Sequence, residues 1–286
     1  MRAWQNLGFT APTRLVELAV AAERAGMHGV TLPEHLVTPT VIDTPNPYVP
    51  TGGPGYAPDT PFVDPFVAFG AMSSVTTALQ FLANVYVLPL RNVFVAAKSV
   101  SSAAVFAPGR LVLGVGIGWL REEFEAVGAS FADRAARADE MLALLPRLLA
   151  GETVSSPGPH VAFPEVRLTP PAPAPVPVVV GGASDRALAR AARADGWIGV
   201  NYTEDALLPI LARLRSARET HGDAGRPFRI VVSRPPDFDA EVAQRYAAAG
   251  VTDLVNRPTV FEVGADAPVE AHLDAMRAFV ALLPVP

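Results

Sequence analysis

The chain has 286 residues, half of them hydrophobic, with a net charge of −5 and no cysteine. That composition supplies a large core, excludes disulfides, thiolate metal sites and cysteine nucleophiles, and carries no nucleic-acid footprint, because acids and bases are interspersed. No run of 18 apolar residues is free of charge or proline, so no membrane partner is expected.

The elements alternate from the first residues. AWQNLGF (3–9) reads as a short buried strand, TRLVELAVAAERAG (13–26) as a helix closed by Gly26, and HGVTL (28–32) as a second strand. A Pro- and Gly-rich loop, 33–64, follows, and a loop of that length is expected to lie over an active site. Asp64 is placed to cap a helix that opens with Pro65. LQFLANVYVL (79–88) is a strand, NVFVAAKSVSSAAVFA (92–107) a helix and RLVLGVG (110–116) a strand. REEFEAVG and DRAARADEMLALLPRLLAG are two helices, and a Pro-rich connection (151–176) leads to the strand VPVVVGG. SDRALARAARA is a helix capped by Ser184, DGWIGVN a strand, and EDALLPILARLRSARETHG a helix. FRIVVS, AEVAQRYAAAG, VTDLVN and VEAHLDAMRAFVALL complete the alternation as strand, helix, strand and helix.

Eight short apolar strands, each followed by a helix, predict an α/β protein with a (β/α)8 TIM barrel as one domain over 1–286. A doubly wound sheet is the alternative. LVLGVGIGW (111–119) bears on it. The dinucleotide fingerprint is G-x-G-x-x-G after the first strand, whereas here Gly114, Gly116 and Gly118 follow the fourth strand and Trp119 takes the third glycine's place. In a barrel these glycines let a flat ring approach the backbone at the C-terminal mouth, or they serve tight packing alone. Gly181 and Gly182 lie between the fifth strand and a helix, whose N-terminus suits a phosphate; the alternative is a turn with Ser184 as a simple cap.

The stretch from DPFVAFGAMSSVTTALQFLANVYVLPLRN through AAK and PGRLVLGVGIGWLREEFEAVG, with VVVGGASDRALARA beyond it, resembles the bacterial luciferase-like superfamily, and most of all its branch that uses the deazaflavin coenzyme F420. The resemblance covers nearly the whole chain. It implies a cofactor, F420 or alternatively FMN, at the C-terminal face, and a homodimer. It implies a bulge at Asn84, Val85 and Tyr86 with a non-prolyl cis bond at Val85–Tyr86 behind the ring. Glu34 and His35 stand where relatives often have Asp-His, and Glu34, His35, Asn84, Val85, Tyr86, Gly116, Ile117, Gly118, Val180, Gly181, Gly182, Ala183 and Ser184 are implied to touch the cofactor. In sugar-phosphate dehydrogenases of this superfamily a glutamate follows the G-x-G-x-G turn. Trp119 replaces it here, which argues against that reaction and for an apolar or planar small-molecule substrate.

His35, at a strand end on the active face, is the candidate for proton transfer. Trp4, Tyr48, Trp119, Arg234 and Arg257 are candidates to line the substrate pocket, and Arg91 is a further candidate to face an anion. His28, His160, His221 and His272 receive no role, and no metal is expected, since no histidine pair has ligand spacing with carboxylates. Glu122, Glu123 and Glu125 read as a solvated helix face, and RAARADE as intrahelical pairs such as Arg137 with Glu140. The start of the chain has no signal-peptide pattern, so a cytoplasmic location is expected. Lys98 is the only lysine among 23 basic residues, which fits codon bias in a GC-rich genome. The leading expectation is a hydride-transferring oxidoreductase. A two-component FMN monooxygenase fed by a separate reductase is the second, and a catalytically silent cofactor-binding protein the third.

Overall fold

Eight parallel strands close on themselves: β1 (Arg2–Asn6), β2 (Gly29–Leu32), β3 (Gln80–Val87), β4 (Leu111–Gly116), β7 (Val178–Gly181), β8 (Gly196–Gly199), β9 (Arg229–Ser233) and β10 (Asp253–Asn256). β1 pairs with both β10 and β2, which shuts the barrel. The structure, a computed structural model, describes residues 1–49, 51–223 and 225–284. Helices α1 (Leu15–Arg24), α2 (Pro65–Ser73), α3 (Val93–Phe106), α4 (Arg121–Ala126), α5 (Arg134–Leu149), α6 (Asp185–Arg193), α7 (Glu204–His221), α8 (Ala240–Ala248), α9 (Val260–Val263) and α10 (Val269–Ala281) lie between and after the strands. The expected (β/α)8 barrel is the fold.

The caps sit where the residue types demand. The Asp64 carboxylate accepts from Phe66 N at 2.9 Å and Val67 N at 3.0 Å, with Pro65 as the first helical residue. Ser184 Oγ accepts from Ala187 N at 3.2 Å and starts α6.

Side-chain parity divides the core in two. Trp4, Leu82, Val112, Val179, Ile198, Val231 and Val255, from seven strands, form one buried cluster inside the barrel. The eighth strand contributes Gly29, where a Cβ would stand 2.4 Å from Trp4 Cζ3, so the indole fills the space a side chain would need. The larger cluster lies between the strands and the helices.

The Pro-rich connection 151–176 holds a hairpin outside the barrel, in which Thr153–Pro157 (β5) and Ala162–Arg167 (β6) pair antiparallel. Its strands are mostly exposed and Pro-bearing, so they lack the apolar alternation that marks a strand. Two expectations are corrected at this level. Trp4 does not line a substrate pocket. Its indole points to the barrel floor, fully buried, with Nε1 donating to Asp253 Oδ1 at 2.8 Å and the ring against His28. Arg137 and Glu140 are not paired with each other. Glu140 accepts from Val161 N at 2.8 Å and Arg137 donates to Pro89 O at 3.3 Å, because the hairpin and the β3 exit lie within reach of α5.

Candidate functional site at the barrel mouth

The β3–β4 register breaks between Ala83 and Tyr86, as the expected bulge requires. The non-prolyl cis bond lies at Asn84–Val85, one bond before the expected Val85–Tyr86. Val85 joins the interior cluster, while Tyr86 turns outward, 1% exposed, with its ring 5.0 Å from that of Phe66. Tyr86 is therefore packed under α2, and only the backbone before it borders the mouth. Asn84 Oδ1 is buried without a partner among the described residues.

The glycines after the bulge have separate causes. A Cβ on Gly114 would stand 2.1 Å from Ala83 O, and one on Gly116 would stand 2.6 Å from Val85 Cγ2. Gly118 holds φ at +81°, and a Cβ there would meet Phe124. Gly116, Ile117, Gly118 and Trp119 are all partly exposed at the rim.

On β7, the direct neighbour of β4, Val180 is buried in the outer core and Gly181 has the opposite parity, facing inward like Val179. Gly181 is unlike Gly114 and Gly116. The nearest atoms to an added Cβ are 3.6 Å away, an ordinary contact, so packing does not demand a glycine there. Gly182 has φ +107°, and its carbonyl accepts from Trp197 Nε1 at 2.8 Å. Ala183 and Ser184 carry the chain into α6, whose first-turn N–H groups have no intrahelical acceptor.

Glu34 and His35 leave β2 in succession. Glu34 is 5% exposed, pairs with Arg91 and accepts from Val87 N at 3.1 Å. The Arg91 guanidinium lies 4.1 Å above the Tyr86 ring. Burial pushes the Glu34 carboxyl above the ordinary carboxylate range, with Arg91 opposing it. Glu34 and Arg91 thus bind each other and are not available as free cofactor or anion contacts, since each is the other's nearest countercharge.

His35 lies in an aromatic group: its ring is 4.9 Å from those of Tyr56 and Phe62 and 6.3 Å from that of Trp119. His35 Nδ1 is 3.1 Å from Glu123 Oε2. Glu123 is 1% exposed, and its other oxygen accepts from Leu36 N at 2.6 Å. Glu122 accepts from Asp43 N and Thr44 N, both at 2.8 Å. The expected solvated face of α4 therefore holds only for Glu125, because the other two carboxylates bind the loop that folds over them. Burial, then Glu123 and Glu122, push the Tyr56 hydroxyl up to about 12, so it stays protonated at neutral pH.

Sequence reasoning missed Glu123, Tyr56 and Phe62. A signal for Glu123 existed: Leu120, Glu123, Phe124 and Val127 have the i, i+3, i+4, i+7 spacing of a helix's inner face. Tyr48 lies in the same loop at the β8 side of the mouth, where burial first, and then electrostatic repulsion from the Tyr48 hydroxyl, raise the Tyr202 hydroxyl. Arg234, after β9, is held by Asn256 Oδ1 at 2.6 Å and by Glu262. Burial pushes its pKa down, with Glu262 opposing and Arg257 adding to the fall. Arg257 itself is exposed. Among the described residues no group of three His, Asp or Glu side chains is arranged to hold a metal, and no helix is long and apolar enough to cross a membrane.

A barrel with a bulged third strand, a glycine-rich fourth exit and a helix-capping turn after the next barrel strand is matched by the profile for luciferase-like monooxygenases over residues 2–278. The chain belongs to that family. It is 36% identical over 243 residues to an uncharacterized protein of Mycobacterium tuberculosis, covering 85% of this chain and 84% of that one. It is 29% identical to an F420-dependent glucose-6-phosphate dehydrogenase of Kineococcus radiotolerans over 82% of this chain and 66% of that one. Among solved structures, the monooxygenase RslO1 from Streptomyces bottropensis superposes with a TM-score of 0.77 at 20% identity, covering 99% and 98% of the two chains. An F420-dependent secondary alcohol dehydrogenase bound to an F420–acetone adduct superposes with a TM-score of 0.76 at 14% identity over both whole chains. These two likenesses are of fold.

Proposed function

We propose that this luciferase-like protein is an F420-dependent oxidoreductase that moves a hydride between the coenzyme and a small organic substrate. One observation carries the reading: the inward face at Gly181 is bare although packing leaves room for a side chain, and it continues the Val85–Gly116 wall, because β7 pairs directly with β4. A flat ring seated against this bare wall would supply the missing contacts. Asn84 Oδ1, buried and unpartnered, supplies a polar atom for the ring's edge. Gly182, Ala183 and Ser184, with the first turn of α6, would hold the anionic tail through backbone N–H groups. F420 supplies two-electron hydride chemistry at its C5 position.

The chain's own part is positioning and proton transfer. Tyr56, Phe62 and Trp119 form an apolar wall that excludes water and suits an apolar or planar substrate. In carbonyl reduction, His35 releases a proton to the carbonyl oxygen as the hydride reaches the carbonyl carbon, and the product is the alcohol. Alcohol oxidation is the reverse, with His35 accepting the proton. Tyr48, Arg234 and Arg257 stand around the β8–β10 side of the rim, and Arg257 is the cation best placed for an anionic substrate group.

The F420-dependent relatives at 29% identity favour the deazaflavin over FMN. The FMN reading, with a separate reductase, draws on the monooxygenase fold neighbours. Titrating the purified protein with each cofactor, followed by absorbance and fluorescence, decides between them. The expected result is saturable binding of F420, then oxidation of reduced F420 by members of a ketone, imine and enone panel. Binding of FMN but not F420 overturns the proposal, and tight F420 binding with no turnover across the panel points to the silent binder. We further propose a homodimer that buries the outer face of α2 and α3, where Val67, Val95 and Phe106 are 75%, 56% and 69% exposed, and a cytoplasmic location.

A further inference from the structure

We infer that Glu123 is a positioning residue that fixes His35 in one tautomer, with Nδ1 protonated and Nε2 left for the substrate. The inference rests on the proposed function for the use made of Nε2, but its geometric part stands alone. Three groups converge on the Glu123 carboxylate: His35 Nδ1 at 3.1 Å, Leu36 N at 2.6 Å and, more distantly, Val37 N at 3.4 Å. The two backbone groups can only donate, so one oxygen is committed as an acceptor. The other oxygen faces Nδ1. A carboxylate offers lone pairs and no proton, so the ring nitrogen facing it carries the hydrogen.

The ring has little freedom to escape this. Tyr56 and Phe62 pack against it at 4.9 Å, and Trp119 stands perpendicular to it at 6.3 Å. The side chains of His35 and Glu123 are 12% and 2% exposed, so water competes poorly for the bond. Nε2 makes no hydrogen bond within the described residues. When it takes a proton, the charge that reaches the ring meets a buried carboxylate on the far side. When it gives the proton up, the Nδ1–H bond holds the ring in place for the next turn.

The neighbouring residue is a built-in control. Glu122 clamps the same loop through Asp43 N and Thr44 N at 2.8 Å and makes no contact with His35. A merely structural role for Glu123, that of tying down the loop, would be shared by both residues. A positioning role belongs to Glu123 alone.

The test uses full-length protein labelled with ¹⁵N-histidine, at a pH of about 9, where an ordinary imidazole is neutral. The five histidines are few enough for His35 to be assigned with a His35→Gln variant. In the wild type the Nδ1–H form of His35 should exceed the Nε2–H form by at least about tenfold, as a hydrogen bond to a charged group implies. Glu123→Leu should abolish the bias, Glu123→Gln should keep part of it through the amide oxygen, and Glu122→Leu should leave it unchanged. With the best substrate of the carbonyl and enone panel, Glu123→Leu should lower kcat about 10²-fold while the F420 dissociation constant moves less than about threefold. An Nε2–H tautomer in the wild type overturns the inference even if the leucine variant does not fold. So does an equal loss of tautomer bias or of kcat in the Glu122 and Glu123 variants. Failure of the wild type to bind F420 would overturn the proposed function instead, and the tautomer measurement, which needs no coenzyme, would still decide the role of Glu123.

Discussion

Gly181→Ala separates a glycine kept for a ligand from glycines kept for packing. The nearest atoms to a Cβ at this position are Ile198 Cγ2 and Val115 O at 3.6 Å and Ile198 O at 3.7 Å, which a methyl tolerates without any shift. The backbone there does not need a positive φ, so the folded state loses nothing, and the unfolded chain loses freedom worth about 0.4–1 kcal/mol. Thermal denaturation should therefore give an unchanged or slightly raised Tm. The methyl projects into the mouth, where it displaces anything lying against the bare backbone; overpacking of that kind costs about 1–3 kcal/mol, so F420 affinity should fall about 10-fold or more. Gly116→Ala is the contrast, because its Cβ would stand 2.6 Å from Val85 Cγ2 and something must move. It should lower both Tm and affinity. A Gly181→Ala protein that binds F420 as tightly as the wild type refutes the seating of a ring on this wall; one that loses stability refutes the packing argument.

Three further outcomes follow from the same physical reasoning. Glu23 is partly buried, which works to raise its pKa, yet hydrogen bonds from Ala78 N, Thr77 N and Leu79 N hold the carboxyl below its ordinary value; its stabilisation should be present above that value and be lost as pH falls through the lowered one, and Glu23→Ala, discounted for the solvent that reaches these bonds, should cost about 0.5–1 kcal/mol in urea denaturation at pH 7. Burial, reinforced by Arg2, pushes the His28 imidazole below its ordinary value, so the unfolded chain takes up a proton that the native floor refuses: stability should fall as pH drops from about 6.5, and His28→Gln should flatten that limb. Val67→Lys combined with Phe106→Lys should turn a dimer into a monomer in sedimentation without changing the circular dichroism; a dimer that survives the pair is not built on α2 and α3.

The fold was legible because each barrel strand is a short apolar run ended by a glycine, proline or polar cap, and several helices carry their own start signal. Asp64 before Pro65 and Ser184 before α6 act within three residues, a range that local pattern captures. What was not legible depends on contacts between residues far apart in the chain. Trp4 has the right parity for the barrel interior, but only its partner Asp253, 249 residues away, shows that the indole serves the floor and not the mouth. Arg91 looked like a free cation until Glu34, 57 residues earlier, was placed beside it. The β5–β6 hairpin is exposed on most positions, so no hydrophobic period marked it.

The base of the long loop explains how a residue in a Pro- and Gly-rich segment can hold a position that chemistry requires. Glu34 and His35 are consecutive, and their side chains are bound by different elements. Glu34 is locked to the exit of β3 through Arg91 and Val87 N, and His35 is locked to α4, beyond the exit of β4, through Glu123. Three strand exits therefore fix the His35 ring, though only one carries it. Removing one partner of a buried ion pair costs about 3–5 kcal/mol, because the other charge is left without compensation. Swinging His35 out requires breaking the Glu123 contacts, and sliding the β2 exit requires breaking the Glu34 pair. Beyond Thr44, the last residue held by Glu122, the loop to residue 64 has no comparable charged anchor among its described residues. Under the proposed function, motion that admits a substrate is assigned to the described residues after Thr44, with the His35 ring held in place by Glu123. Limited proteolysis should cut first between residues 45 and 63, and a first cut at residues 34–37 would contradict this division.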